Sequence, residues 1–273
     1  MEGKIYLVAT PIGNLEDITL RALRILKEVD LIAAEDTRNT LKLLNHYEIS
    51  KPLISYHRHN EEIRVDGLIE KAKNGKNIAI VSDAGTPGIS DPGNIIVKEA
   101  IKNNIQIIPI PGACAAINAL IGSGLDTKEF AFFGFLPLNK KLRNEKLKEI
   151  KNQTKTVIIY EAPHKIKNTL EDLKDILDNN RKVVLARELT KIHEEFIIGN
   201  IEQLIEKTKD LKGEMILVIE GAKHVEDENK LNKLSLEEHY KYYENQGLDK
   251  KEIIKRVAKD RGVNKNEVYM HFV

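Results

Sequence analysis

The chain has 273 residues, 41% of them hydrophobic and 31% charged, with 43 basic and 42 acidic side chains for a formal net charge of +1. That balance is ordinary for a folded protein of one large domain or two small ones, and it excludes a uniformly basic fold, so any surface for nucleic acid must be local. No apolar run approaches the roughly 18 residues of a membrane span, so no membrane partner is expected.

The first residues enter a strand-like run, Lys4 to Ala9, with no charged leader and cleavage site ahead of it. The single cysteine, Cys114, excludes an internal disulfide and argues against a thiolate-rich metal site. A cytoplasmic setting is expected.

β-Branched, apolar runs at 5–9, 30–34, 53–56, 77–82, 105–110, 131–135, 156–161, 182–187, 195–198 and 214–220 read as strands. Helix-period segments alternate with them. Ile166, Leu170, Leu173 and Leu177, spaced four, three and four, stripe one helix face. The alternation predicts an α/β chain with largely parallel sheets covered by helices. Ten strands exceed a typical single sheet, so two successive α/β lobes are expected, at 1–112 and 113–222.

A polar segment, 223–233, reads as a linker, and a small helical module is expected at 234–273. Ser235-x-x-Glu238 is a capping box; Asp249-x-x-Glu252 and Asn264-x-x-Glu267 are its Asx variants. Gly247 and Gly262 stand where the first two helices should stop. Two helices about a Gly-containing turn read as helix-turn-helix-like, and equally as a cap on the second lobe.

Three loops follow strands of the first lobe, at 10–15, 82–93 and 111–116. In an open parallel sheet, ligands bind beyond the carboxyl ends of strands, where such loops lie. Neither G-x-G-x-x-G nor G-x-x-x-x-G-K-[ST] occurs in them. No Lys or Arg stands between Asn77 and Gly93, which include Asp83 and Asp91, and no charge at all between Ile105 and Gly124. A phosphate-rich ligand wants cationic partners. Neutral and acidic loops suit a nucleoside with a sulfonium and an amino-acid tail, which favours S-adenosyl-L-methionine over NAD or ATP.

The stretch Val8-Ala9-Thr10-Pro11-Ile12-Gly13-Asn14-Leu15-Glu16-Asp17-Ile18-Thr19 resembles the opening motif of the tetrapyrrole-methylase family, in its small-subunit rRNA cytidine 2′-O-methyltransferase branch. Ala34-Glu35-Asp36-Thr37-Arg38, the 82–93 loop, Pro109-Ile110-Pro111-Gly112 and Gly134-Phe135-Leu136-Pro137 are similar to further motifs of that branch. So are Tyr160-Glu161-Ala162-Pro163-His164, Ala186-Arg187-Glu188-Leu189-Thr190-Lys191 and Gly213-Glu214-Met215, so the resemblance runs the whole chain in order. It implies two α/β lobes of the tetrapyrrole-methylase type with S-adenosyl-L-methionine in the cleft between them, a homodimer, and methylation of a cytidine ribose 2′-oxygen in the decoding region of 16S rRNA, on free rRNA or the small ribosomal subunit. Two positions depart from the family pattern: Lys165, where Arg is commoner, and Cys114, where a residue such as Ser is usual.

Expected cofactor-binding residues are Pro11, Gly13, Asn14, Ser82, Asp83, Ala84, Gly85, Pro87, Gly88, Pro111, Gly112, Ala113 and Glu161. Bulk at Gly85 or Gly112 is expected to obstruct the cofactor. Glu35, Asp36 and Arg38 are the first candidates to orient the acceptor ribose, whose weakly acidic hydroxyl profits from a base. On the residues alone they read equally as a charged helix start. His57, His59, Glu61 and Glu62 can be drawn as a metal set, but methyl transfer from a sulfonium needs no metal and none is expected; a solvated or RNA-contacting loop fits better. The basic run Lys140, Lys141, Arg143, Lys146, Lys148 and Lys151 fits phosphate contact or a solvated helix face. The alternative is a small-molecule, tetrapyrrole-type methyltransferase of the same fold.

Overall fold

The computed structural model describes residues 2–208, 211–223, 231 and 234–272. The chain forms two compact units, Met1–Ala222 and Lys223–Val273. All ten expected strands form within the first unit, five in each of two sheets.

The first sheet holds β1 (Ile5–Val8), β2 (Leu31–Ala34), β3 (Leu53–Ser55), β4 (Ile78–Val81) and β5 (Ile107–Ile110), in the order β3-β2-β4-β1-β5 with every pairing parallel. Pro109, which cannot donate to a ladder, sits in β5 at the sheet's edge. Helices α1 (Leu20–Glu28) and α2 (Thr37–His46) cover one face, packing Ala22, Ile25, Leu26 and Leu44 against Val8, Ile32, Ala34 and Val81. Helices α3 (Glu61–Lys73) and α4 (Asn94–Lys102) cover the other, packing Val65, Leu68, Ile96 and Ala100 against Ile5, Ala33, Ile78 and Ile80. The chain therefore leaves β1 over one face and leaves the neighbouring β4 over the other. Where adjacent strands send their connections to opposite faces, their carboxyl ends open a crevice.

The second sheet contains β6 (Phe130–Phe135), β7 (Thr156–Glu161), β8 (Val183–Arg187), β9 (Glu195–Gly199) and β10 (Met215–Ile219), ordered β6-β7-β10-β8-β9. Here the expectation of largely parallel strands fails: only β6 and β7 run parallel, and the other three pairings are antiparallel. The physical reason is partly connection length. Residues 188–194 join β8 to β9 without a helix, and a parallel crossover needs a dozen residues or more. On one face lie α6 (Lys140–Asn152), α7 (Ile166–Lys174) and α8 (Ile201–Lys207), with Ile150, Ile166, Leu170, Leu173 and Leu204 essentially inaccessible. The stripe of Ile166, Leu170, Leu173 and Leu177 is that buried face. On the other face α5 (Ala115–Gly122), which follows β5, packs Ala116, Ala119 and Leu120 against Ile158, Val184, Ile216 and Val218. Ile12, from the loop after β1, joins the same cluster, so one apolar core fastens the two sheets together.

In the second unit, α9 (Leu236–Glu244), α10 (Lys250–Arg261) and α11 (Lys265–His271) enclose Ile253, Ile254, Val257, Ala258 and Val268. The Ser235 and Glu238 box is reciprocal, and the Asp249 side chain accepts from the Glu252 amide. Asn264 departs from the expected box, because its side chain accepts from Asn266 rather than Glu267. Gly262 ends α10 in the left-handed conformation, φ 63°, with the Val263 amide returning to the Ala258 carbonyl. The fully buried His239 accepts from Arg261 Nε at Nδ1 (3.1 Å), which leaves its proton on Nε2 for Asp260 (3.2 Å). Burial holds that imidazole below its ordinary pKa. The segment expected at 223–233 lies largely outside the described residues. No described helix is long and apolar enough to cross a membrane.

Candidate active site

The crevice between the ends of β1 and β4 is closed by a backbone clasp. Thr10 and Gly85 exchange amide–carbonyl hydrogen bonds of 2.9 and 3.0 Å, and the Thr10 hydroxyl reaches the Ser82 carbonyl. Gly85 holds φ at +77°, a conformation that side chains rarely adopt, and this turn brings the 82–93 loop against the 10–15 loop. Thr86 Oγ1 donates to the Ala113 carbonyl (3.0 Å), which attaches the third loop to the same assembly.

Acidic side chains gather here. Glu35 leaves β2 with Oε2 accepting from the Asp83 amide (3.3 Å). Asp83 returns its own carboxylate to the start of α2, taking the Asp36 amide (3.0 Å) and the Asn39 side chain (3.3 Å). Asp91 arrives at the far end of the loop. Burial, reinforced by Glu35 and Asp83, pushes its carboxyl up to about 6. Burial also raises Glu35. Arg58 partly offsets both, and its guanidinium holds the Ser90 carbonyl. Ser90 itself is strained, at φ 64°.

The opposing wall comes from the second sheet. The Tyr160 ring lies edge-on to Phe132 and Phe135, with centroids 5.0 and 5.6 Å apart, and its hydroxyl accepts from the Ala116 amide at the start of α5 (3.1 Å). Burial pushes that phenol up to about 12, so it stays neutral. Next to it Glu161 is 5% exposed and held by the Thr169 hydroxyl (2.5 Å) and the Ala162 amide (2.8 Å). Arg143 in turn donates to Thr169 and pairs with Asp172, so this cation of the basic run serves the fold.

Between the walls lies a cavity of about 440 Å³, within the range of small-molecule sites. Glu35, Asp83, Asp91, Glu161 and Glu214 line it, and among the described residues no Lys, Arg or His does. Such a lining repels phosphates and favours an organic cation. Among the described residues, no group of three or more His, Cys, Asp or Glu is arranged to hold a metal ion.

Residues 4–205 match the family model described as Tetrapyrrole (Corrin/Porphyrin) Methylases. This chain belongs to the tetrapyrrole methylase family. It is similar to the ribosomal RNA small subunit methyltransferase I of Halalkalibacterium halodurans, 52% identical over 98% of this chain and 94% of the relative. With the Bacillus subtilis protein of the same name it shares 48% identity, over 98% of this chain and 93% of that one. A crystal structure of uroporphyrin-III C-methyltransferase from Thermus thermophilus, complexed with S-adenyl homocysteine, superposes with a TM-score of 0.57 at 18% identity, covering 80% of this chain and 97% of that one. That likeness concerns the fold.

In this methylase the expected site residues divide by position. Asp83, Ala84, Gly85 and Glu161 line the acidic cavity, while Pro11, Gly13 and Ser82 line a second opening beside it, which Asp83 and Ala84 also border. Pro87, Gly88, Pro111, Gly112 and Ala113 line neither. Asn14 also stands outside both, where it caps the 3-10 turn Leu15–Asp17 and donates its amide to Thr190 (3.0 Å). Bulk at Gly112 meets Ala9, with Cβ atoms 2.6 Å apart, and bulk at Gly85 meets Ile12 at 3.2 Å. At Gly112, which lines neither opening, the added bulk falls on the loop scaffold, whereas at Gly85 it meets Ile12 within the lining of the acidic cavity.

Of the three acceptor-orienting candidates, only Glu35 reaches the cavity wall. Asp36 caps α2 and binds Arg38 through two side-chain hydrogen bonds, which hold its carboxyl down at about 2. Asp91, Tyr160, Phe135 and Met215 line the cavity and were not among the expected site residues. The acidity of Asp91 was visible in the loop's composition, but its meeting with Glu35 was not.

Proposed function

We propose that this chain transfers the methyl group of S-adenosyl-L-methionine to the ribose 2′-oxygen of a cytidine in the decoding region of 16S rRNA. The observation that carries the reading is the acidic cavity, lined by no cation among the described residues, in a chain half identical to proteins named for methylation of small-subunit ribosomal RNA. The bound cofactor would supply an electrophilic methyl carbon on a sulfonium. Glu35, Asp83 and Asp91 suit its positive charges, Gly85 and Ala115 let backbone come close, and the Tyr160 and Phe135 rings offer faces attractive to a cation.

Glu35 is the proposed acceptor for the hydroxyl proton, since a carboxylate with a raised pKa is better matched to that work near neutrality. Asp36 and Arg38 act one step removed. Asp36 donates its amide to Asp83 and caps α2, so it sets where both the loop and the helix stand. A homodimer in the cytoplasm completes the reading, and light scattering checks the former. Activity is expected to survive EDTA.

The test is radiolabelled methyl transfer to small ribosomal subunits, free rRNA and a porphyrinogen. Label in RNA with alkali-resistant linkage at one cytidine supports the proposal; label confined to the porphyrinogen overturns it.

A further inference from the structure

A second cavity of about 350 Å³ opens beside the acidic one. Ile12, Asp83, Ala84 and Glu214 border both, so the two cavities adjoin along these residues. The two differ in charge. The second cavity carries Lys42 and Lys191, whereas no described Lys, Arg or His lines the first. Lys191 is already engaged, donating to Glu188 (3.0 Å) and Glu214 (3.2 Å). Lys42 is exposed and makes no ion pair with any described residue.

The wall carrying Lys42 is braced by hydrogen bonds. Asn39, Lys42 and Leu43 share one face of α2, at spacings of three and four, and Asn39 is tied to Asp83, which lines the same cavity. The facing loop is held at its end, where the Tyr47 hydroxyl donates to the Leu15 carbonyl (2.5 Å) and Thr190 accepts the Asn14 amide.

We propose that this second cavity receives one unpaired nucleotide of the acceptor RNA, with Lys42 on a phosphate and the ribose toward Ile12 and Ala84, where the two cavities adjoin. The inference rests on the methyl-transfer reading above and adds where the substrate enters and in what state. A duplex has no room in a recess of this size, so the target nucleotide must be single-stranded or turned out of its stack, as in other enzymes that act on one nucleotide. A lysine on a phosphate is a point charge with no sequence information, so Lys42 contributes affinity and register while the rest of the pocket discriminates.

The experiment uses the full chain, S-adenosylmethionine and small ribosomal subunits, and measures KM for the subunit, its salt dependence, kcat and cofactor affinity for each variant. Lys42→Glu should raise KM about tenfold or more and lower the slope of log affinity against log salt by about one, with cofactor affinity unchanged. Lys42→Arg should restore both. Asp91→Asn should do the reverse, weakening the cofactor and leaving KM for the subunit near its original value. Unchanged KM and salt slope in Lys42→Glu, with the unaltered chain active on RNA, overturn this inference and leave the functional reading standing. An unaltered chain that binds S-adenosylmethionine but methylates no RNA overturns the functional reading, and this inference with it.

Discussion

Glu35 and Asp83 stand on loops 48 residues apart in sequence, and the Asp83 amide donates to Glu35 Oε2 at 3.3 Å. Asp83 then spends its own carboxylate on α2, so the ends of β2 and β4 are cross-braced through two acids. Both border the acidic cavity, which makes the brace part of the site as well as of the fold.

The first prediction concerns turnover. Glu35→Gln keeps the size of the side chain and its carbonyl acceptor but removes the carboxylate, so kcat should fall by about 10²–10⁴, the usual loss for a general base. Cofactor affinity should change far less. Asp36→Asn retains an N-cap residue, so its effect on turnover should be distinctly smaller than that of Glu35→Gln. Single-turnover kinetics and cofactor titration on the same proteins decide between them. If Asp36→Asn is the more damaging, the acceptor base has been misassigned.

pH supplies a second test. Asp91 is pushed up to about 6 in the folded chain, from an ordinary value of 3.8, and Glu35 is shifted in the same direction. The folded state therefore holds more protons than the unfolded chain between these values. The contribution to stability is fully present below the unfolded pKa and is lost as pH rises through about 6. A cationic ligand prefers the ionised carboxylates, so affinity for S-adenosylmethionine should fall as pH is lowered through about 6. Calorimetry in buffers of different ionisation enthalpy should detect proton release on binding near that pH. Affinity that does not vary between pH 5 and 8 would refute this use of Asp91.

Much of this molecule could be read from its residues, and the parts that could not share a cause. The ten strands announced themselves by apolar runs, β-branched in nine and aromatic in β6, and the Ser235 and Asp249 caps by their side chains, because these are local signals. The mixed direction of the second sheet depended on which strand β10 inserts between, a long-range choice with no local mark. Glu35 and Asp36 are adjacent in one motif, yet the turn from β2 into α2 sends one to the cavity and the other to the helix start. Asp91 meets Glu35 through a loop in which Gly88, Ser90 and Gly93 all take positive φ, a path with no local mark at Asp91 itself. Phe135 was hidden by a bulge between Phe132 and Gly134, which breaks the alternation by which strand faces are assigned.

Gly112 offers a test of the scaffold. A methyl group there would meet the Ala9 methyl at 2.6 Å, at the end of β1, so Gly112→Ala should lower Tm before it blocks any ligand. An overpacked site of this kind costs about 1–3 kcal/mol. Differential scanning calorimetry without ligand should register the loss. Weakened cofactor binding at unchanged Tm would mean that Gly112 faces the ligand instead.

The second unit has its own core, so removing residues from Leu231 onward should leave the first unit folded. Cofactor affinity should stay within roughly twofold, while affinity for RNA falls if the three helices contact it. Equal RNA binding by the shortened and full chains would make the unit a structural cap.

The most direct measurement is the position and chemistry of the transferred methyl group. Small ribosomal subunits lacking the modification, incubated with the chain and labelled S-adenosylmethionine, would be digested to nucleosides and analysed by mass spectrometry. One labelled 2′-O-methylcytidine, from the decoding region, is expected, with label lost in Glu35→Gln. Label on a base, or on no RNA at all, would contradict it.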